Sequence, residues 1–162
     1  METDKFQLFI VDDDNIMAQS LEKHISKKFG NIFNVSVFNS GALALKNLNA
    51  QTGMVILDYK LKGENGNEVL KAIKLMNPKT EVVMLTSNED IYVAIESFKK
   101  GVLDYIIKNN QAWKKINSTI LTMLMYPVNI LIREFGVNKY LAIFLLVFLV
   151  MGASVFYIMK MM

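Results

Sequence analysis

The chain has 162 residues, enough for one domain with its own core and an additional segment. It contains no Cys, which excludes a disulfide framework and any thiolate metal site. Residues 1–125 carry 15 Lys+Arg against 14 Asp+Glu, so the net +3 gives no electrostatic case for DNA or RNA as a partner.

Met1-Glu2-Thr3-Asp4-Lys5 is charged in both signs and leads straight into an apolar run, so no signal peptide is expected and the domain should stay in the cytosol. Phe6–Val11 reads as a first strand, and Met17, Leu21, Ile25 and Phe29 recur behind it at helical spacing. The lone His24 sits in that helix and reads as a surface residue, since no second His is present to build a site. Phe33–Phe38 alternates as a second strand, and Ser40-Gly41 opens a short helix through Ala42, Leu45 and Leu48. Met54–Leu57 is a continuous apolar run, the pattern of a strand buried on both faces, and it ends on Asp58 and a charged loop containing Gly63 and Gly66.

Val69, Ile73 and Met76 mark a further helix, stopped by Asn77-Pro78. Glu81–Leu85 predicts a fourth strand ending in Thr86-Ser87. The helix over Asn88–Lys100 has Ile91, Ile95 and Phe98 on one side. After Gly101, Leu103–Ile107 forms a fifth strand closing with Lys108, and Trp113, Ile116, Ile120 and Leu124 give a last amphipathic helix. Five strands alternating with five helices predict an α/β fold with a five-stranded parallel, doubly wound sheet.

Pro127 is expected to end or kink that last helix, leaving residues 126–139 as a juxtamembrane connector that includes Gly136. Residues 140–159 carry no charge and as a helix span about 30 Å, the hydrocarbon thickness of a bilayer. They are expected to form a transmembrane helix. Lys114, Lys115, Arg133 and Lys139 precede the run and Lys160 follows it, which favours a single pass with the domain inside.

The strand ends carry the chemistry. The first presents Asp12 and Asp13, the third Asp58, the fourth Thr86 and the fifth Lys108. In a doubly wound sheet these ends converge on one crevice at the topological switch point. Carboxylates packed together repel unless a cation is present, and an oxygen-only cluster suits Mg²⁺. A lysine and a hydroxyl beside them are the parts that stabilise a transferring phosphoryl group. Singly, each residue also has a bland role: Asp14 reads as a helix cap, Thr86 could be an N-cap, and Lys108 could be a solvated charge.

With Val11-Asp12-Asp13, Leu57-Asp58 followed by Gly63 and Gly66, Leu85-Thr86-Ser87 and Gly101-Val102-Leu103-Asp104-Tyr105-Ile106-Ile107-Lys108, residues 5–125 resemble the receiver domain of bacterial two-component response regulators. The resemblance implies a flavodoxin-like receiver fold over residues 1–125. It implies Asp58 as phosphoacceptor, with Mg²⁺ on Asp12, Asp13, Asp58 and the backbone carbonyl of Lys60. Thr86 and Lys108 would hold phosphate oxygens, and Tyr105 would change rotamer with Thr86 as a switch. The implied partner is a histidine kinase or a phosphotransfer protein, and no separate substrate is turned over.

Two departures stand out: Asn109 follows Lys108 where the family commonly has proline, and Lys62 replaces another frequent proline. No DNA-binding output domain is expected after the last helix. The combined expectation is a receiver tethered to the cell inner membrane and facing the cytoplasm, with the lipid bilayer and a membrane-protein output as partners. The alternatives are a phosphate-independent, membrane-tethered docking module and a phosphatase similar to the haloacid dehalogenase group, which Asp12-Asp13-Asp14 would serve.

Overall fold

The computed structural model describes residues 5–87, 89–135 and 138–161. Expectations touching residues 1–4, Asn88 and Gly136 lie outside them. The chain divides into two compact units, Met1–Ile116 and Asn117–Met162.

In the first unit, β1 (Phe6–Val11), β2 (Phe33–Phe38), β3 (Thr52–Leu57), β6 (Glu81–Thr86) and β7 (Asp104–Ile107) form one sheet in the order β2-β1-β3-β6-β7, with every pairing parallel. Between β3 and β6 lies a two-stranded antiparallel hairpin, β4 (Lys60–Leu61) and β5 (Glu64–Asn65). Its turn is Lys62-Gly63, with Gly63 at φ 80°, a conformation that suits a residue without a Cβ. The chain leaves β1 toward β2 on one side and returns to β3 on the other. The switch point therefore falls between the ends of β1 and β3, where Asp12 and Asp58 begin their loops.

The central strands are apolar because both faces are covered. On one face Phe9, Val11, Val55, Leu57, Val82 and Met84 pack with residues of α2 (Gly41–Asn47) and α3 (Gly66–Met76). The alternate residues Leu8, Ile10, Met54 and Ile56 are also at most 2% exposed, and α1 (Asn15–Phe29) brings Ala18, Leu21, Ile25 and Phe29 to that layer. His24 of α1 packs against Trp113 with the rings tilted by 31° at a centroid distance of 5.5 Å, which places the start of α5 (Ala112–Phe135) beside α1. The result is the three-layer sandwich that alternating strands and helices predict.

The helix starts follow ordinary capping chemistry. Asp14 Oδ1 accepts from the Ile16 and Met17 amides at 3.0 and 3.1 Å, so Asp14 is the α1 cap. Asp90 caps α4 (Ile91–Lys99) through the Tyr92 amide at 2.8 Å. Asn109 Oδ1 accepts from the Gln111 amide at 2.9 Å and fixes the turn into α5.

Two sequence expectations are corrected. First, Pro127 does not end the helix: α5 runs from Ala112 to Phe135, since a proline removes one amide donor and the helical turns on either side sustain the backbone. Second, residues 140–159 lie within a helix, α6 (Lys139–Met161), but among the described residues no helix is long and apolar enough to cross a membrane. That finding overturns the transmembrane helix and the single-pass inner-membrane localisation.

Candidate functional site

The site is assembled where β1, β3, β6 and β7 end. Asp12 follows β1 and is 3% exposed; Asp58 follows β3 and is 7% exposed. The two loops are laced together at their starts. The Asp58 amide donates to Val11 O at 2.8 Å, and the Asp12 amide donates to Phe38 O at 3.1 Å. Carboxylate oxygens of Asp12, Asp13 and Asp58 all lie within 4.8 Å of one another, with Asp13 the exposed member.

Lys108 crosses from the end of β7 and donates to Asp12 Oδ2 and to Asp58 Oδ2, both at 2.7 Å. Its backbone amide is held by Thr86 O at 2.8 Å, so the lysine is aimed by the β6–β7 pairing and not by its own loop. Each acid keeps one oxygen for a backbone donor: Asp12 Oδ1 takes the Asp14 amide at 2.9 Å, and Asp58 Oδ1 takes the Lys60 amide at 3.2 Å.

Electrostatics follow from this packing. Burial pushes the Asp12 carboxyl above its ordinary value, against the hydrogen bond from Lys108 and the Asp14 amide, which favour the charged form. Burial alone would lower the Lys108 ammonium, but Asp12 and Asp58 outweigh it and hold Lys108 above its ordinary value. Three acids therefore face one lysine, an excess of negative charge presented on oxygen donors alone. That donor set fits a hard divalent cation such as Mg²⁺.

Thr86 is fully buried and its side chain is hydrogen-bonded to Tyr105, which is 9% exposed. Register explains the meeting. Tyr105 pairs with Met84, and Thr86 lies two residues further along the same strand, hence on the same face of the sheet. Burial, followed by the nearby Tyr59, Asp90 and Asp58, raises the Tyr105 phenol above its ordinary value, while the Thr86 hydrogen bond works the other way.

All seven residues expected from sequence are thus placed at or beside one crevice. Asp12, Asp58 and Lys108 are in direct contact, Asp13 completes the acidic cluster, and Thr86 and Tyr105 form a bonded pair beside it. Lys60 reaches the site through its amide. One contributor, Glu64, escaped sequence reasoning, and Gly66, part of the motif after Asp58, has a packing role there. Glu64 accepts from the Gly41 amide and, at 3.2 Å, from the Ala42 amide, which ties the hairpin after Asp58 to the start of α2. Gly66 packs so closely that a Cβ would stand 2.6 Å from Asp58 O and 2.6 Å from Tyr59 Cα, and its amide donates to Tyr59 O at 2.7 Å. For Glu64 no sequence signal exists, because its partners are more than twenty residues away.

The same arrangement has relatives. The response regulator receiver domain family matches residues 8–119. The transcriptional regulatory protein ZraR of Escherichia coli (strain K12) is 33% identical over 109 residues, covering 67% of this chain and 24% of that protein. The DNA-binding transcriptional regulator NtrC of Escherichia coli (strain K12) is 30% identical over 102 residues, covering 62% of this chain and 21% of its own length. The chain thus spans about a quarter of the curated relatives it matches. Among solved structures, the BeF3-activated DrrB receiver domain superposes with a TM-score of 0.64 at 27% identity, over 74% of this chain and 97% of that one.

Proposed function

The chain belongs to the response regulator receiver domain family, and from that premise we propose that it accepts a phosphoryl group on Asp58 in a two-component signalling system. The observation that carries the reading is the Asp58 carboxylate, nearly buried at the switch point, with Lys108 at 2.7 Å and Asp12 and Asp13 in one oxygen cluster. Residues 1–125 form the receiver domain in this reading, and residues 126–139 serve as a connector.

Asp58 acts as a carboxylate nucleophile. One of its oxygens attacks phosphorus, the bond from phosphorus to the donor oxygen or nitrogen breaks, and the donor leaves with the electron pair. Asp12, Asp13, Asp58 and the Lys60 carbonyl would hold Mg²⁺, which would supply neutralisation of charge on the phosphoryl oxygens. Lys108 already touches Asp58 and pairs with one phosphoryl oxygen, while Thr86 turns its hydroxyl to another. Because Thr86 is bonded to Tyr105, that turn changes what the Tyr105 ring rests against and biases the face around α4 and β7. The phosphoryl group ends on the chain's own Asp58, and a histidine kinase or phosphotransfer protein supplies it.

The test is incubation with acetyl phosphate and Mg²⁺, read by intact mass and by peptide mapping of the acyl phosphate. Gain of one phosphoryl group on Asp58, abolished by Asp58→Asn, is the expected result. Label on Asp12 would instead support the phosphatase reading, and no incorporation at all would leave only a phosphate-independent docking module.

A further inference from the structure

The helix α4 turns its largest apolar residues outward. Ile91, Ile95 and Phe98 are 66%, 45% and 51% exposed, and the buried residue of the helix is a serine, Ser97, with no measurable exposure. Val93 and Ala94, both small and partly buried, pack against the core beside it. What Ser97 meets is equally unusual for an interior: Ser97 Oγ donates to Oδ1 of Asn67 at 2.7 Å, and Asn67 is 3% exposed. Two polar side chains facing each other under a helix cost desolvation that an apolar pair would not, so packing alone does not call for them.

Asn67 is not placed at random. It follows Gly66, whose backbone is wedged against Asp58 O and Tyr59 Cα and whose amide donates to Tyr59 O. Asn65 Oδ1 in turn holds the Asn67 amide at 2.9 Å. Any shift of the loop after Asp58 is therefore passed through two residues of tightly held backbone to the Asn67 side chain. On the other side of the contact, the Ser97 hydroxyl has one proton and two acceptors, Asn67 Oδ1 at 2.7 Å and Val93 O of its own helix at 2.9 Å. With the proton on the first, α4 is tied to α3; with the proton on the second, the helix satisfies itself and the tie is gone.

We propose that Asn67 and Ser97 are positioning residues, a polar latch that makes the seating of α4 depend on the state of the Asp58 loop. The proposal rests on Asp58 being the phosphoacceptor. It adds a second route from that site to α4, separate from Thr86 and Tyr105.

The experiment uses the 162-residue chain with Mg²⁺ and beryllofluoride, with fluorine NMR for binding and amide hydrogen exchange over α4. In the native protein the bound analogue should change α4 exchange by about tenfold, the effect commanded by one buried hydrogen bond. In the double variant Asn67→Leu/Ser97→Ala, which replaces the polar contact with an apolar one, the analogue should bind equally well while α4 exchange changes less than about twofold. If the double variant does not fold, Ser97→Ala alone carries the same readings. An α4 response of native size in either folded variant overturns the latch, as does analogue binding to the native chain with no α4 response. Failure of the analogue to bind the native chain would instead overturn the acceptor reading of Asp58, and the latch with it.

Discussion

Lys108 Nζ and Asp58 Oδ2 stand 2.7 Å apart although 50 residues separate them in the chain. The contact is made at the end of β7, with Lys108 16% and Asp58 8% exposed at the side chain, so solvent screens it little. Removing one partner of a buried pair leaves the other uncompensated. Lys108→Met should therefore lower the unfolding free energy by about 3 kcal/mol in metal-free buffer. Saturating Mg²⁺ should recover part of that loss, since a divalent cation replaces the charge the ammonium supplied. Urea unfolding with and without Mg²⁺ measures both; an equal loss in the two buffers would remove the cation from this cluster.

Asp13 offers the complementary case. It belongs to the acidic cluster yet is exposed, and the Lys108 ammonium is engaged by Asp12 and Asp58 instead. Asp13→Asn should change stability by less than about 0.5 kcal/mol, as surface substitutions do. Mg²⁺ affinity should fall about tenfold, because one of the few charged oxygen ligands is lost. Calorimetric Mg²⁺ titration of the two proteins decides it, and unchanged affinity would assign the cation to Asp12 and Asp58 alone.

Tyr105 gives a pH dependence with a definite sign. Its phenol is raised above the ordinary 10.0, chiefly by burial, so the folded chain binds that proton more tightly than the unfolded chain. The contribution to stability is complete below pH 10.0 and is lost as pH rises through the higher folded value. Thr86 opposes the shift through its hydrogen bond, so Thr86→Ala should move the Tyr105 titration further up. Ring-carbon NMR, assigned with Tyr105→Phe, follows the titration; a downward shift in Thr86→Ala would break the link between the two side chains.

Gly66 tests the loop that carries Asp58. Its missing Cβ leaves room for the Asp58 carbonyl and Tyr59 Cα, both backbone atoms that cannot swing aside. Gly66→Ala should cost about 1–3 kcal/mol, the range for forced overpacking, and should slow phosphorylation of Asp58 by acetyl phosphate. Native rates in a folded variant would show that the loop tolerates displacement without consequence for the acceptor.

The strand ends were legible because continuous apolar runs, each stopping on a polar residue, leave little freedom in where a buried strand ends. Asp12, Asp58, Thr86 and Lys108 converge for that reason. The hairpin at Lys62-Gly63 was not legible, since two-residue strands carry no periodicity; neither was Glu64 at the start of α2, whose partners are distant in sequence. In the C-terminal segment the apolar run identified a helix, α6, but hydropathy alone did not identify what surrounds it. In α4 the spacing of Ile91, Ile95 and Phe98 was read correctly as one stripe, yet a stripe does not say which side of the helix meets the sheet. Short side chains at Ala94 and Ser97, with Asn67 opposite, let α4 seat by its small-residue side and leave the large apolar stripe outward.

The outward stripe makes the last prediction a comparison between two large apolar residues. Ile73 of α3 is 1% exposed in the core, whereas Phe98 of α4 is 51% exposed. Truncating a buried Ile loses its transfer free energy and leaves a cavity, so Ile73→Ala should cost about 2–5 kcal/mol. Phe98 already shares half its surface with water, and Phe98→Ala should cost less than about 1 kcal/mol despite removing the larger side chain. Thermal or urea unfolding of the two variants side by side gives the ranking. If Phe98→Ala proves the more damaging, α4 seats its apolar stripe inward, Ser97 turns outward, and the hydrogen bond to Asn67 no longer has a place in the fold.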